Sequence, residues 1–413
     1  MNGRLLSKGA TPFQSQEDSR HNQLLQRDLT SVPPVCYFTP MNSPFADIAR
    51  GLLRLPTAPF HEHYALDYAL SFADSRPHII IRRDRHGNVL LLYKGAATTQ
   101  PLILTAHLDH PGMVWHQNLA PDRTRFAIMG GIDLKQVLSS RHVRIFDVGR
   151  PPNQRGHPCT IVGTADTPGA RYPLIDVATA KRMTCGPGTF AMWDLPSWRL
   201  RGGKISGRAL DDLAGAAVGL SVLDILHTSR AKTTAGLLLT RAEEVGFVGM
   251  LAAIKGGFLR KSALYVNIEC SSVKAGAVQG AGPVVRVGDR LWNFDPAISG
   301  GLAAVATELA EAIPSFRWQR KLMDSGACEA TPLMQAGFRT GAVALPLGNY
   351  HNIGPGAKLA AETIDLEDAQ MLVELLVQLA HRGIDAAHAR STAALEAMMA
   401  SRLEKYRDRL EAI

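Results

Sequence analysis

The chain has 413 residues, is 46% hydrophobic and carries a formal net charge of +8 at pH 7, which predicts a large core shared by two or three domains. Its basic residues are scattered along the chain and do not form a cluster typical of nucleic-acid binding. No apolar run reaches the roughly 18 residues that a membrane-spanning helix needs.

Residues 1–43 are interpreted as a polar N-terminal extension. The segment lacks the apolar region of a secretory signal, and Glu17, Asp18 and Asp28 argue against an organelle transit peptide. The five cysteines of the chain are widely spaced, without a CxxC pair, as is typical of reduced thiols. These features predict a cytoplasmic protein.

The next elements in chain order are a helical segment interrupted by prolines, two strands around a Gly-Asn turn, and the continuous apolar strand "PLILTAHLD". From 114 to 203 the content of Gly and Pro rises and short β-like pieces appear. We therefore predict a small β domain at 114–203, inserted into a catalytic domain formed by 44–113 and 204–413.

Strands and helices alternate in the second part of the catalytic domain. A nearly all-apolar helix begins at 211, and further helices are predicted at 299–313, at 365–382 and from 384 onwards. The strands between them are "GLLLTRAEE", "ALYVNIE" and "TGAVALPLG". This alternation predicts an α/β fold with a mixed, mostly parallel sheet covered by helices on both faces.

The last predicted helix has one apolar stripe, because its large apolar residues are spaced by three or four positions. The stripe consists of Leu395, Met399, Leu403, Tyr406 and Leu410. It either packs on its own domain or contacts another subunit, and the spacing fits both interpretations.

Histidine and acidic residues stand where the predicted strands end and where the apolar helix begins. Each alone has an ordinary explanation, such as a helix cap or a solvated strand end. Ligands of open α/β sheets bind outside the carboxyl ends of the strands, so together these residues predict a metal site. The set is His107, Asp109, Asp211, Asp212, Glu243, Glu244, Glu269 and His351.

Two pairs within this set suggest divided roles. His107 and Asp109 are two positions apart on a strand and point to the same side, so Asp109 can orient the imidazole. Glu243 and Glu244 would point to opposite faces of a regular strand. With Gly246 loosening the strand end, one of the two glutamates can bind metal while the other acts as a base on water.

Five motifs carry a resemblance to a known family. They are "LTAHLDHPGMV", "GRALDDLAGAAVG", "TRAEEVGFVG", "VNIECSS" and "LPLGNYH". Over residues 45–382 the chain resembles the co-catalytic dinuclear zinc exopeptidases, and within them it is most similar to the tetrahedral and deblocking aminopeptidase group. The predicted β domain lies between the first ligand motif and the Asp-Asp pair, as it does in that group.

The resemblance implies a specific site and activity. His107, Asp211 and Glu269 would bind one divalent metal ion, and Asp211, Glu244 and His351 the other, with Asp211 bridging. Zn²⁺ suits these ligands best, with Co²⁺ or Mn²⁺ as substitutes. Glu243 would be the general base in the removal of N-terminal residues from a peptide substrate. The resemblance also implies a homo-oligomer and a cis peptide bond between Asp211 and Asp212.

Three positions depart from the family pattern. Glu269 stands where aminopeptidases often have Asp, Leu213 replaces a basic residue, and "SGACEAT" replaces a Gly-Thr-Asp segment. Glu269 keeps a related metal-dependent carboxypeptidase or deacylase open as an alternative. A third alternative is a binding protein of the same fold without catalysis, against which the complete ligand set and Glu243 argue.

Two other signals are given no functional role. The "HEH" at 61–63 is too short for the HExxH motif of metalloproteases. Cys328 has no evident base in the sequence that would activate it as a nucleophile.

Overall fold

A computed structural model describes residues 43–95, 100–132, 140–148, 155–165, 172–180 and 182–412. The predicted extension at 1–43 lies outside these residues except for its last position. Within the described ranges, no helix is both long and apolar enough to cross a membrane.

The described ranges contain eight α-helices. They are α1 (Phe45–Leu52), α2 (His63–Asp74), α3 (Leu213–Thr228), α4 (Val248–Lys255), α5 (Pro296–Ala312), α6 (Ala330–Gln335), α7 (Leu366–Arg382) and α8 (Ile384–Glu411). The four longer helices predicted after residue 204 are therefore present with bounds close to the expected ones.

Eight strands form the central sheet. They are β1 (Ile79–Arg83), β2 (Val89–Lys94), β3 (Leu102–His107), β12 (Thr234–Thr240), β13 (Leu264–Ser272), β14 (Val284–Asp289), β15 (Gln319–Met323) and β16 (Thr340–Leu347). Their order is β1-β2-β12-β3-β13-β16-β14-β15. The four strands from β12 to β16 in this order are parallel, whereas β1, β2 and β14 each pair antiparallel with a neighbour.

The central strands are apolar because helices cover both faces of the sheet. Every residue of β3, β13 and β16 is buried. On one face α3 and α5 approach so closely that Gly219 lies against Leu237 and Gly341 against Ile298. On the other face α4 and α6 pack against Tyr265 and its neighbours. The predicted α/β fold with a mixed, mostly parallel sheet is confirmed.

The segment that was predicted as an inserted β domain contains a closed six-stranded barrel, in the order β4-β5-β8-β7-β6-β9. Its strands are β4 (Gly112–Ala120), β5 (Arg123–Met129), β6 (His142–Asp147), β7 (His157–Ala165), β8 (Leu174–Thr179) and β9 (Thr189–Trp193). It has its own apolar core, which includes Phe126, Ile175 and Trp193. The domain boundaries 114–203 stay a prediction.

A small antiparallel sheet brings the segment that precedes α3 next to the strand that precedes α7. It consists of β10 (Arg199–Arg201), β11 (Lys204–Gly207) and β17 (Glu362–Asp365), with β11 in the middle. Helix α7 follows β17 directly, and its first N–H groups are capped by the Asp365 carboxylate. The small sheet thereby places Glu362 beside the segment that leads into α3.

Candidate metal centre

The carboxyl ends of the central parallel strands meet at one edge of the sheet, as expected for an α/β fold. His107 is the last residue of β3, and Glu269 lies near the end of β13. The segments after β12 and β16 supply the remaining side chains. The structure brings together His107, Asp109, Asp211, Glu243, Glu244, Glu269 and His351.

These side chains form overlapping groups that could hold metal ions. One group is His107, Asp211 and Glu269, and a second is Asp211, Glu244 and His351. In each group, one possible ligand atom per residue lies within 4.8 Å of the others. A third combination of His107, Glu243 and Glu244 satisfies the same criterion, so geometry alone leaves Glu243 able to act as a ligand or as a base.

Asp211 lies between the two histidines. Its Oδ1 is 3.5 Å from His107 Nε2, and its Oδ2 is 3.9 Å from His351 Nε2. The other two carboxylates stand beside one histidine each: Glu269 is 3.6 Å from His107 Nε2, and Glu244 is 3.2 Å from His351 Nε2. One carboxylate that faces both imidazoles is the arrangement that a bridging ligand requires.

The donor set fits a pair of divalent cations. Asp211 Oδ1, Glu244 Oε1 and Glu269 Oε2 are buried and, within the described ranges, have no hydrogen-bond partner. Buried carboxylates need a compensating charge or donor, because desolvation of an ionised group costs several kcal/mol. A cation bound to these oxygens would supply that compensation, and two imidazoles with three carboxylates are ligands that Zn²⁺ accepts.

The pKa shifts reflect this surplus of negative charge. Burial and the charge of Glu269 raise the pKa of Asp211 well above its usual range, and burial also raises the pKa of Glu243. Burial alone would lower the pKa of His351, but the Glu244 carboxylate raises it to about 9. Cations bound here would compete with protons for these carboxylate oxygens and imidazole nitrogens.

Two carboxylates hold the turn that carries the adjacent glutamates. The Asp109 carboxylate accepts hydrogen bonds from the N–H groups of Glu243 (2.9 Å) and Glu244 (3.1 Å). The Glu62 carboxylate accepts a hydrogen bond from the N–H of Ala242 (3.0 Å), and it forms an ion pair with Arg241, whose Nε–H donates to it at 2.7 Å. Three successive N–H groups thus end on two buried carboxylates, and this clamp fixes the backbone of Glu243 and Glu244.

The clamp also explains how two adjacent glutamates can face one site. Ala242 and Phe247 have φ values of 52° and 58°, so the backbone is irregular here and the alternation of a strand does not apply. Asp109 has a second contact, since one of its oxygens lies 3.5 Å from His107 Nδ1. It was predicted to orient His107, and in the structure it also supports the glutamate turn.

Glu362 is a third supporting carboxylate, and the sequence analysis identified neither it nor Glu62. It is fully buried and accepts hydrogen bonds from the N–H groups of Leu210 (2.7 Å), Asp211 (3.2 Å) and His351 (2.9 Å). Glu362 therefore connects the backbone of Asp211 to the backbone of His351. A glutamate that begins a short strand normally reads as solvent-exposed, so the sequence gives no signal for this role.

The barrel segment reaches the site through one glycine. The Gly131 carbonyl oxygen lies 3.2 Å from His351 Nδ1, where it can accept the imidazole proton and so make Nε2 the nitrogen that would bind metal. A Cβ atom at Gly131 would stand 2.5 Å from the same nitrogen. Any larger residue there would displace the ring, so the close approach requires glycine.

Two further expectations can be compared with the structure. The Asp211–Asp212 peptide bond is cis, which confirms what the resemblance implied. The segment "SGACEAT", which departs from the family pattern, contains Glu329. This residue is fully buried, and burial raises its pKa to about 7. Cys328 beside it is buried, and burial raises the pKa of its thiol, so it has no property of a nucleophile.

Residues 87–375 match the profile of the M42 glutamyl aminopeptidases, a range that includes all seven clustered side chains. No curated protein sequence is significantly similar to the chain.

Three archaeal proteins are among the solved structures of similar fold. A TET aminopeptidase of a marine-sediment Thaumarchaeota archaeon is 16% identical, with a TM-score of 0.69 over 84% of this chain and 99% of its own. An aminopeptidase of Desulfurococcus kamchatkensis is 17% identical, with a TM-score of 0.67 over 83% and 96%. The TET1 peptidase of Pyrococcus horikoshii, which can assemble into a tetrahedron or a large octahedral shell, is 20% identical, with a TM-score of 0.66 over 81% and 99%.

Proposed function

Because the chain belongs to the M42 glutamyl aminopeptidase family, we propose that it removes residues from the free amino end of peptides with two divalent cations and with Glu243 as the general base. Family membership makes it a metal-dependent hydrolase of the aminopeptidase class. The number of cations, their ligands and the role of Glu243 are the proposed parts.

The position of Asp211 is the observation that carries the proposal. One oxygen faces the group of His107 and Glu269, and the other faces the group of Glu244 and His351. Each cation would then have one imidazole, one terminal carboxylate and a share of Asp211. This set suits Zn²⁺ and allows Co²⁺ or Mn²⁺. When bound, the pair supplies Lewis acidity that activates water and stabilises negative charge on a carbonyl oxygen.

Glu243 is assigned the proton transfers. Its Oε2 lies 3.9 Å from His107 Nε2, and its side chain is 10% exposed, so the carboxylate stands beside the ligands with access to solvent. It takes the proton of the water that attacks the peptide carbonyl, and then passes this proton to the leaving amine. Its neighbour Glu244 stands closer to His351, which supports the ligand role for Glu244.

The supporting carboxylates position these groups without contacting the substrate. Asp109 and Glu62 fix the turn of Glu243 and Glu244, and Glu362 fixes the backbone of Asp211 and His351. Held this way, the base and the ligands keep their geometry when a proton moves, so little reorganisation is needed in the transition state. The four cysteines of the described ranges are buried thiols, which fits the proposed cytoplasmic setting.

A peptide panel tests the proposal. The metal-free protein is reconstituted with Zn²⁺, analysed for metal content, and assayed on peptides with a free amino end, an N-acetylated end or a blocked carboxyl end. We expect about two Zn²⁺ per chain and release of N-terminal residues only where the amino group is free. The Glu243→Gln variant is the control for contaminating peptidases.

The other results have definite meanings. Cleavage of N-acetyl groups would identify a deacylase, and release of C-terminal residues would identify a carboxypeptidase, the alternative that Glu269 keeps open. Full metal content without hydrolysis of any peptide would indicate a binding protein and contradict the proposal.

A further inference from the structure

The outer part of α8 exposes apolar side chains that the rest of the described chain does not cover. Only Ile384 and Ala387 of this 28-residue helix are buried. From Met399 to the end of the helix every residue is exposed. The predicted stripe remains in solvent, with exposures of 50% for Leu395, 50% for Met399, 54% for Leu403, 48% for Tyr406 and 66% for Leu410. The interpretation that it packs on its own domain is therefore wrong for the described residues.

Within the described ranges, the ion pairs that join the helix to other elements lie in its first two turns. Asp385 pairs with Arg339 at 2.9 Å, and Arg390 pairs with Glu308 of α5 at 3.6 Å. Beyond Arg390, no described hydrogen bond or ion pair joins the helix to another element. In proteins, most of the stability of a helix comes from the packing of its apolar face. Residues 391–411 therefore need a partner along about 30 Å of helix.

We propose that the apolar stripe of α8 packs antiparallel against the same stripe of a second copy of this chain. A two-fold axis on the apolar side of the helix, level with residue 401, gives four of the five stripe residues a stripe counterpart in the second copy. Met399 then meets Leu403, Leu395 meets Tyr406, and Leu410 meets Thr392. The stripe is thus complementary to itself, which a two-fold interface between identical chains requires.

The charges of the segment fit the same pairing. Glu396 and Arg407 lie on one flank of the stripe, and the two-fold axis brings each close to the other in the second copy. Residues 391–411 carry four basic side chains (Arg402, Lys405, Arg407 and Arg409) and four acidic ones (Glu396, Glu404, Asp408 and Glu411). The segment is therefore neutral within a chain of net charge +8, and two copies can approach without net repulsion.

The helix follows the part of the chain that the family profile matches, which ends at residue 375. The interface is thus an addition to the family fold, and it is independent of the proposed reaction because no residue of α8 belongs to the metal centre.

Light scattering of the full chain tests the interface. We expect the 44.7 kDa chain to form a multimer, and Leu403→Asp and Met399→Asp to lower the average mass at least two-fold at about 1 μM, because each places charges in the apolar contact. Ser401→Asp, on the opposite face of the same helix, is the matched control and should keep the wild-type mass. Peptidase activity per chain should stay within about two-fold in all three variants.

A cysteine pair tests the antiparallel register. The double variant Met399→Cys with Leu403→Cys should form a covalent dimer under mild oxidation, because each cysteine faces the other in the second copy. Ala397→Cys with Ser401→Cys has the same spacing on the opposite face and should not. A monomeric wild-type chain, or wild-type mass in Leu403→Asp together with no covalent dimer, would overturn the proposal and indicate a different cover for the stripe.

Discussion

The metal centre and the outer part of α8 depart from the usual distribution of side chains in opposite directions. At the sheet edge, acidic groups such as Asp211 and Glu269 are buried, and several of their oxygens have no partner in the described chain. In α8, large apolar groups such as Leu403 and Tyr406 are exposed. Buried carboxylates are normally paired with a charge or a donor, and large apolar side chains are normally covered. Each region therefore calls for compensation, which cations would supply in the proposed metal centre and apolar surface in the proposed interface.

Removal of the shared carboxylate is the strongest way to break this comparison. Asp211→Ala should lower the affinity of both proposed metal positions and reduce kcat/KM by at least about 10⁴-fold, since in the proposal this carboxylate serves both cations. Elemental analysis and peptide hydrolysis measure the two effects. Asp224→Ala is the control, because Asp224 lies in the adjoining helix α3 and pairs with Arg76 away from the site. Full metal content and activity in Asp211→Ala would contradict the assignment of a bridge.

The second prediction separates charge that binds metal from charge that moves protons. Glu243→Gln should keep both metals and lower kcat by at least about 10²-fold, because an amide cannot accept the proton. Glu244→Gln should instead lose metal. If Glu243→Gln loses metal and Glu244→Gln keeps it, the two roles are reversed.

A smaller effect is expected from the clamp. Glu62→Gln keeps one carbonyl oxygen for the Ala242 N–H but loses the ion pair with Arg241, so the Glu243 turn should loosen. We expect kcat to fall about 10-fold with metal content and KM nearly unchanged.

Glu374→Gln is the matched control for the clamp. Glu374 is also a buried glutamate, but it bonds Gln378 within α7. A Glu62→Gln variant that loses thermal stability as Glu374→Gln does, with wild-type kcat, would show that the clamp only supports the fold.

The smallest effect concerns buried groups that need no partner. Burial raises the pKa of Cys159 to about 11 and the pKa of Cys270 well above its usual range. Because both pKa values lie above pH 8, the thiols are neutral there and burial costs them little. Iodoacetamide at pH 8 should leave them unmodified in the native chain and label them in urea. Rapid native labelling would mean that this part of the core opens.

The sequence predicted the sheet and the clustered residues for one physical reason. Continuous apolar runs mark strands covered on both faces, and in a parallel sheet the residues that follow such strands share one edge. His107 and Glu269 could therefore be expected to lie together before their distance was known. The cis bond at Asp211–Asp212 came from the family resemblance.

The contacts that support the site could not be predicted from the sequence in this way. Glu62, Gly131 and Glu362 act through hydrogen bonds or close approaches to residues far away in the chain. No periodicity in the sequence encodes such partners. Glu62 belongs to the "HEH" at 61–63, to which the sequence analysis gives no functional role. The α8 stripe was visible as a pattern, but only the fold shows that the described part of the chain leaves it uncovered.

The clamp at Glu62 and the anchor at Glu362 have a consequence for protein synthesis. The complete arrangement draws on residues from 62 to 362, so a nascent chain on the ribosome holds only part of it for most of translation. Until the segment with His351 and Glu362 has emerged, one of the two ligand groups lacks its imidazole and Asp211 lacks its backbone support. The proposed metal centre is therefore incomplete until residue 362 has been synthesised, and we expect no peptidase activity from a shorter nascent chain.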